Sequence, residues 1–233
     1  MSDEESAADA GADADAGTDA DADAVTDPEP THPTPGDRLA VEPGCARCPA
    51  LADCRETISW GNGPTDAAVV VVGEAPGYGG PEAETWRGGN WSGFAYTSRH
   101  SGRRVRRLFA ALGYDPFFTN AVKCFPADSN EPTTNREPTP VERAACRDHL
   151  AAELGAVNPA VVVATGKHAT ATLLAADGCD LDGFVDRVLE PVRLDAFDVR
   201  LVPILHPSYQ DVWLARLGYD ETTYREELGA LLP

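Results

Sequence analysis

Four apolar runs of strand length punctuate the chain, at residues 68–72, 117–122, 160–164 and 199–205. Three are rich in valine and nearly unbroken, the pattern of parallel strands covered on both faces. Between them the apolar period becomes helical. Residues 105, 108, 109 and 112 mark one face of a helix over 105–112. A second helix over Pro140–Val157 opens behind Thr139, and Glu142 three residues on completes a capping box. Residues 167–176 follow the third run as a helix, and 221–232 close the chain as another. This alternation predicts an α/β fold, a three-layer α/β/α sandwich around a central, mainly parallel four-stranded sheet. Ligands of such sheets bind beyond the carboxyl ends of the strands.

The strand ends are therefore where chemistry is sought. The first run leads into Gly73-Glu74-Ala75-Pro76-Gly77. That loop serves either as a plain turn or as backbone N–H groups brought up to a ligand, with Glu74 as a carboxylate. The second run leads into Asn120, a turn residue or a reader whose amide presents a donor beside an acceptor. Such an amide matches the O4 and N3–H edge of uracil and opposes the edge of cytosine. The fourth run leads into His206-Pro207-Ser208-Tyr209, where His206 is a structural histidine or a donor to developing negative charge. The third, Thr165-Gly166-Lys167-His168, reads as a strand-to-helix turn. Residues 119–124 read as the end of this buried strand, which puts 120, 122 and 124 on one side, with about 13 Å between the first and last.

Composition divides the chain in two. Residues 1–40 carry twelve acidic residues and one arginine, Arg38, a net of −11 out of −19, in an Ala/Asp/Gly repeat followed by prolines. Such a segment offers no apolar face to bury and is expected to be a disordered acidic tail on a domain spanning 41–233. The domain itself remains acidic at −8. One methionine and two lysines, Lys123 and Lys167, beside abundant Asp, Glu and Ala, resemble the composition of halophilic archaeal proteins. In molar salt the Debye length is about 3 Å, so net charge steers little and local clusters matter more. Arg103, Arg104, Arg106 and Arg107 form one such cluster, a solvated helix face or a grip for phosphates. No run approaches the length of a membrane span, and the N-terminus has no secretory pattern, so a cytoplasmic, monomeric protein with no membrane partner is expected.

Six cysteines in a reducing compartment point to metal binding or burial rather than disulfides. Cys45 and Cys48 form a C-x-x-C pair, metal-binding or redox-active. Cys124 and Cys146 would complete a four-thiolate site suited to zinc or an iron–sulfur cluster. Cys54 and Cys179 are read as non-ligands.

The order of these features resembles the iron–sulfur uracil-DNA glycosylases of the family 4 type, over about residues 41–215. The resemblance rests on the C-x-x-C pair, Gly-Glu-Ala-Pro-Gly, Thr-Asn-Ala-Val-Lys-Cys, Asn135-Arg136 with Pro138, a helix carrying Cys146, and His-Pro-Ser. It implies a [4Fe–4S] cofactor on Cys45, Cys48, Cys124 and Cys146. It also implies hydrolysis of the N-glycosidic bond of uracil in single- or double-stranded DNA after base flipping. Asn120 would read the base, and His206 would stabilise charge on uracil O2. Donors near Ala75 and Gly77 would help hold the base, and Ser208 would join the phosphate grip. Glu74 is the nearest carboxylate to activate water. Two departures stand out. Twenty-one residues separate Cys124 from Cys146, with the excess in 127–134. The segment expected to stack an aromatic on uracil reads Trp91 to Gly102, where Tyr96 and Phe94 compete at a spacing nearer family 5 enzymes. The alternatives are a non-catalytic nucleic-acid-binding relative, a glycosylase for another deaminated base, or a zinc protein.

Overall fold

Val69, Val70, Val71 and Val72 are buried on alternating sides of one strand, and the rest of the fold is built outward from it. The computed structural model describes residues 27–233. In chain order its strands are β1 (Arg38–Leu39), β2 (Gly61–Asn62), β3 (Val69–Gly73), β4 (Phe117–Asn120), β5 (Val161–Thr165), β6 (Val192–Leu194) and β7 (Val199–Ile204). The helices are α1 (Pro49–Cys54), α2 (Gly89–Ser92), α3 (Ser101–Ala111), α4 (Pro140–Val157), α5 (Lys167–Leu174), α6 (Gln210–Trp213) and α7 (Glu221–Leu231).

The four expected strands form the parallel centre of the sheet, in the order β4-β3-β5-β7. Three short antiparallel strands extend it to seven, β1 and β2 beyond β4 and β6 beyond β7. At two or three residues each, they are too short to carry a hydrophobic period. On one face Val70, Val72, Val162, Ala164 and Leu201 meet α4 and α5 through Leu150, Leu154, Leu173 and Leu174. On the other, Val69, Val71, Val161, Val163, Val202 and Ile204 meet Phe109 of α3 and Leu228 of α7. The Thr139–Glu142 capping box opens α4 as expected, and Asn158 in the left-handed region closes it.

Two boundaries differ from the sequence reading. Strand β4 stops at Asn120 rather than 122: Ala121 N–H to Gly73 O at 2.7 Å is its last ladder bond, and Val122 N–H then turns to Glu74 O at 2.8 Å, out of the alternate-residue pattern. Residues 120 and 124 therefore do not share one strand face. Of the acidic tail expected over 1–40, residues 1–26 lie outside the described residues, whereas 27–40 rest on the domain. Arg38 and Leu39 pair with Asn62 and Gly61, and Gly63 N–H donates to Asp37 O at 2.9 Å. Backbone pairing, which needs no apolar face, fixes this stretch. Among the described residues no helix is long and apolar enough to cross a membrane.

Candidate active site and cysteine centre

The β3/β4 register sets Gly73 opposite Asn120 at the carboxyl end of the sheet. A Cβ on Gly73 would stand 2.4 Å from Asn120 Oδ1 and 2.8 Å from Tyr96 Oη, so both side chains use the space that glycine leaves. Asn120 is buried, yet its side-chain amide has no hydrogen-bond partner among the described residues. Its backbone is held from below. Lys123 Nζ donates to Asn120 O at 2.5 Å, to Thr119 Oγ1 at 2.7 Å and to Glu153 Oε2 at 2.6 Å. Glu153 also accepts from Thr119 Oγ1 at 2.5 Å and from Gly61 N–H at 2.9 Å. Lys123 and Glu153 are 1% and 0% exposed, so this is a buried ion pair with its remaining groups satisfied.

Tyr96 sits at φ +55°, a left-handed conformation that needs support in a non-glycine residue. Arg106 Nε donates to its carbonyl at 2.9 Å, and its hydroxyl shares a 2.5 Å hydrogen bond with Thr165 Oγ1. Burial pushes the Tyr96 phenol well above its ordinary range, so it stays protonated. Arg106 also donates to Ala95 O at 3.1 Å and to Asn62 Oδ1, and lies 4.1 Å over the Phe118 ring. Burial pushes its pKa down to about 10. Arg106 is thus no member of the expected phosphate-gripping cluster: it lies inside, where its hydrogen bonds set the Tyr96 loop. Phe94, the competing aromatic, faces Arg38 at 5.6 Å and His32 at 6.3 Å.

The end of β7 delivers His206. Its Nδ1 accepts from Ser208 N–H at 3.3 Å, which puts the proton of the neutral ring on Nε2. Burial, with His168 nearby, pushes the His206 pKa down to about 4. The ring is therefore a neutral donor at neutral pH. Ser208 and Tyr209 are exposed beside it, and the Tyr209 ring centroid lies 6.0 Å from that of His206.

The third strand end does more than turn into a helix. Thr165 holds Tyr96, and Gly166, at φ +88°, lies where a Cβ would come 3.0 Å from that of His206. His168 Nδ1 lies 3.0 Å from Glu137 Oε1 and 4.0 Å from Glu74 Oε1. Glu74 Oε1 is buried without a hydrogen-bond partner among the described residues. Burial raises the Glu74 pKa, and the nearby His168 opposes that shift. Of the other loop residues, Ala75 rests against the cysteine centre, and Gly77 lies in ordinary contact distance of Asn135.

Cys45, Cys124 and Cys146 are buried together with Leu51, Ile58, Trp60 and Val122, with Cys48 and Cys54 at the margin. Cys48 is the N-cap residue of α1, and Cys146 lies on α4. All six thiols are free. Burial raises the pKa of Cys48 and Cys146 and pushes Cys124 up to about 11. Two donors approach the sulfurs: Arg55 Nη1 lies 3.1 Å from Cys124 Sγ and His149 Nε2 3.3 Å from Cys45 Sγ. Among the described residues no three cysteine sulfurs lie within 4.8 Å of one another. Four thiolates gathered in this way suit zinc or an iron–sulfur cluster, and Glu42 and His149 bring further candidate ligand atoms to Cys45. Cys54 instead donates to Phe125 O at 3.2 Å, and Cys179 is exposed, away from the centre. The long Cys124–Cys146 spacing is absorbed by a closed excursion. Asp128 N–H donates to Thr134 O, and Arg136 N–H donates to Pro126 O, both at 2.8 Å.

Sequence reasoning missed Thr165, Gly166, His168, Arg106, His149 and the Lys123–Glu153 pair. One signal was available: Lys123 is one of two lysines in an arginine-rich chain and lies three residues past Asn120.

Residues 60–226 match the model of the uracil DNA glycosylase superfamily. The chain is 33% identical over 172 residues to the type-4 uracil-DNA glycosylase of Thermotoga maritima, covering 71% of this chain and 77% of that protein. It is 31% identical to the Pyrobaculum aerophilum type-4 enzyme, over 70% of this chain and 78% of that one. With the type-4 enzyme of Archaeoglobus fulgidus the identity is 30%, over 64% and 69%.

Proposed function

The chain belongs to the uracil-DNA glycosylase superfamily, in its type-4 group, and from that premise we propose how its residues excise uracil. The reaction hydrolyses the N-glycosidic bond of uracil in single- or double-stranded DNA, the entry step of base excision repair. The observation that carries the reading is the Gly73 cradle, with an unpartnered Asn120 amide on one side and Tyr96 on the other.

The flipped base enters this cradle. Asn120 donates to O4 and accepts from N3–H, and cytosine, with the opposite pattern, leaves both groups unpaired. Tyr96, which stands beside Asn120 at Gly73, supplies the aromatic surface rather than Phe94, whose ring faces Arg38 and His32. As the C1′–N1 bond breaks, its electron pair moves into the uracil ring and onto O2. Neutral His206 donates from Nε2 to that oxygen, and removing such a donor typically costs about 10²–10³ in rate. The N–H groups of Ala75 and Gly77 hold the base edge. Water adds to C1′ and gives its proton to Glu74, whose buried Oε1 is free to accept it and whose ionised form His168 favours. Ser208 contacts phosphate, and exposed Tyr209 fills the space left by the flipped base.

Cys45, Cys48, Cys124 and Cys146 would hold a [4Fe–4S] cluster, a reading supported by their gathering at one centre. The group would staple the N-terminal segment to the end of β4 and to α4, with no part in bond cleavage. The enzyme is proposed to act as a monomer in a saline cytoplasm. The test is excision from uracil-containing single strands and duplexes in high salt. Wild type should release uracil, and Asn120→Ala and His206→Ala should lose release while keeping the brown colour. A coloured, folded wild type without activity would refute the reading and favour a non-catalytic binding protein.

A further inference from the structure

Arg103 and Arg107 stand one turn apart on α3, and the chain's own N-terminal segment lies across them. Glu29 accepts from Arg107 Nη2 at 3.0 Å and from Arg103. Asp27 accepts from Arg225 Nη1 at 2.8 Å. Pro30 is buried, and the His32 ring meets Trp86 edge-on at 5.1 Å. Arg103 lies 5.7 Å over the same indole. Residues 27–32 are thus fastened at both ends along a cavity of about 370 Å³ lined by Arg99, Arg103, Arg107 and Arg225, and by Arg104, which is paired with Asp211 and Glu221.

This basic surface is continuous with the catalytic loops. Arg104 Nη1 donates to Pro207 O at 3.2 Å, next to His206, and Gly102 lies against the Tyr96 carbonyl. It is where the backbone on either side of a flipped nucleotide would run. The occupant has the matching chemistry: Asp27 and Glu29 alternate with neutral residues, and Asp13, Asp15, Asp19, Asp21 and Asp23 continue that alternation upstream in the sequence.

We propose that the acidic N-terminal segment is an internal competitor of DNA, with Asp27 and Glu29 standing in for phosphates on the Arg103–Arg107–Arg225 face. The inference rests on the glycosylase reading for the identity of the displaced ligand. The Glu29 ion pairs are solvent-exposed and the Asp27–Arg225 pair is half-buried; such pairs are individually weak and screened by salt, so a longer polyanion displaces the segment. At low salt it acts as a filter against weak binding, which a strand supplying several phosphates at once passes; toward molar salt the filter fades.

The test uses the full chain carrying Asp27→Asn and Glu29→Gln. A control carries Asp182→Asn and Glu190→Gln, the same change of charge on exposed residues elsewhere. Affinity for single-stranded oligonucleotides, with and without uracil, is read by fluorescence anisotropy across salt. The paired variant should bind both about three- to tenfold tighter in low salt, with a steeper salt dependence, and the gain should fade toward molar salt. The control should stay within about twofold of wild type. No tightening, or equal tightening by the control, would overturn the proposal. If wild type excises uracil while the paired variant binds no tighter, the inference fails alone. If the paired variant tightens but neither protein excises uracil, the glycosylase reading fails alone.

Discussion

Lys123→Met should be among the most damaging single substitutions in the domain, although it swaps one unbranched side chain for another. Among the described residues the substitution removes the only cation in contact with Glu153, a residue 0% exposed. Glu153 would keep its bonds from Thr119 and Gly61 but not its charge partner, and Asn120 O would lose its donor. Breaking a buried pair from one side typically costs about 3–5 kcal/mol. For a domain of this size each kcal/mol lowers Tm by about 2–4 °C, so a fall of about 6–20 °C is expected. Adding Glu153→Gln removes the orphaned charge while keeping an acceptor for Gly61 N–H. The double variant should recover to within about 1–2 kcal/mol of wild type, or about 2–8 °C. Thermal unfolding followed by far-ultraviolet circular dichroism, at low and high salt, measures all three proteins. The loss should be nearly independent of salt, because the pair lies out of reach of counterions. A fall under about 2 °C for Lys123→Met, or a double variant no better than the single, would refute the argument that a desolvated charge pair holds this strand end.

Three further outcomes follow from the site. Gly73→Ala should cut excision by about 10²-fold and also lower Tm, because the methyl group would meet Asn120 Oδ1 and the Tyr96 hydroxyl that Thr165 holds in place; steady-state kinetics beside a melting curve checks this. Burial raises the Glu74 pKa, so as pH falls its proton-accepting form is lost before His206 protonates near 4. The acid limb of the kcat profile should therefore belong to Glu74, and Glu74→Gln should lower kcat and move that limb down toward about 4; an unmoved limb would show that Glu74 is not the acceptor. Cys124→Ala should lose visible absorbance and iron content together with stability, whereas Asn120→Ala should lose excision alone, a contrast read by metal analysis and melting.

The central strands and the long helices were legible because burial writes itself into sequence as period. The valine runs and the Thr139–Glu142 box are local signals, and the structure has them at the expected places. Edge strands of two residues carry no period, so β1 and β2 could not be read, and with them went the expectation that residues 27–40 lie apart from the domain. Asn120, His206 and the four cysteines stood out by residue type at strand ends or in pairs. The residues that orient them did not. Arg106 reads as one more surface arginine until α3 turns it inward, and Thr165 and Gly166 read as a turn until β5 lies between β3 and β7. Tertiary contact alone gives them meaning.

The cysteine centre also bears on the order in which the chain assembles. Cys45 meets His149, Arg47 meets Asp148, and Gly61 meets Glu153, contacts between residues 104, 101 and 92 positions apart in sequence. Closing such loops is slow, and it cannot begin until the partner exists. During synthesis the first half of this wall therefore waits, thiols uncovered, while about a hundred residues emerge and α4 forms. The N-terminal part of the domain is made first and finished late. In that interval Cys45 and Cys48 are accessible to whatever delivers metal or oxidant. The occupancy of the proposed cluster would then record how this wait ended in each molecule, as well as what the folded state can bind.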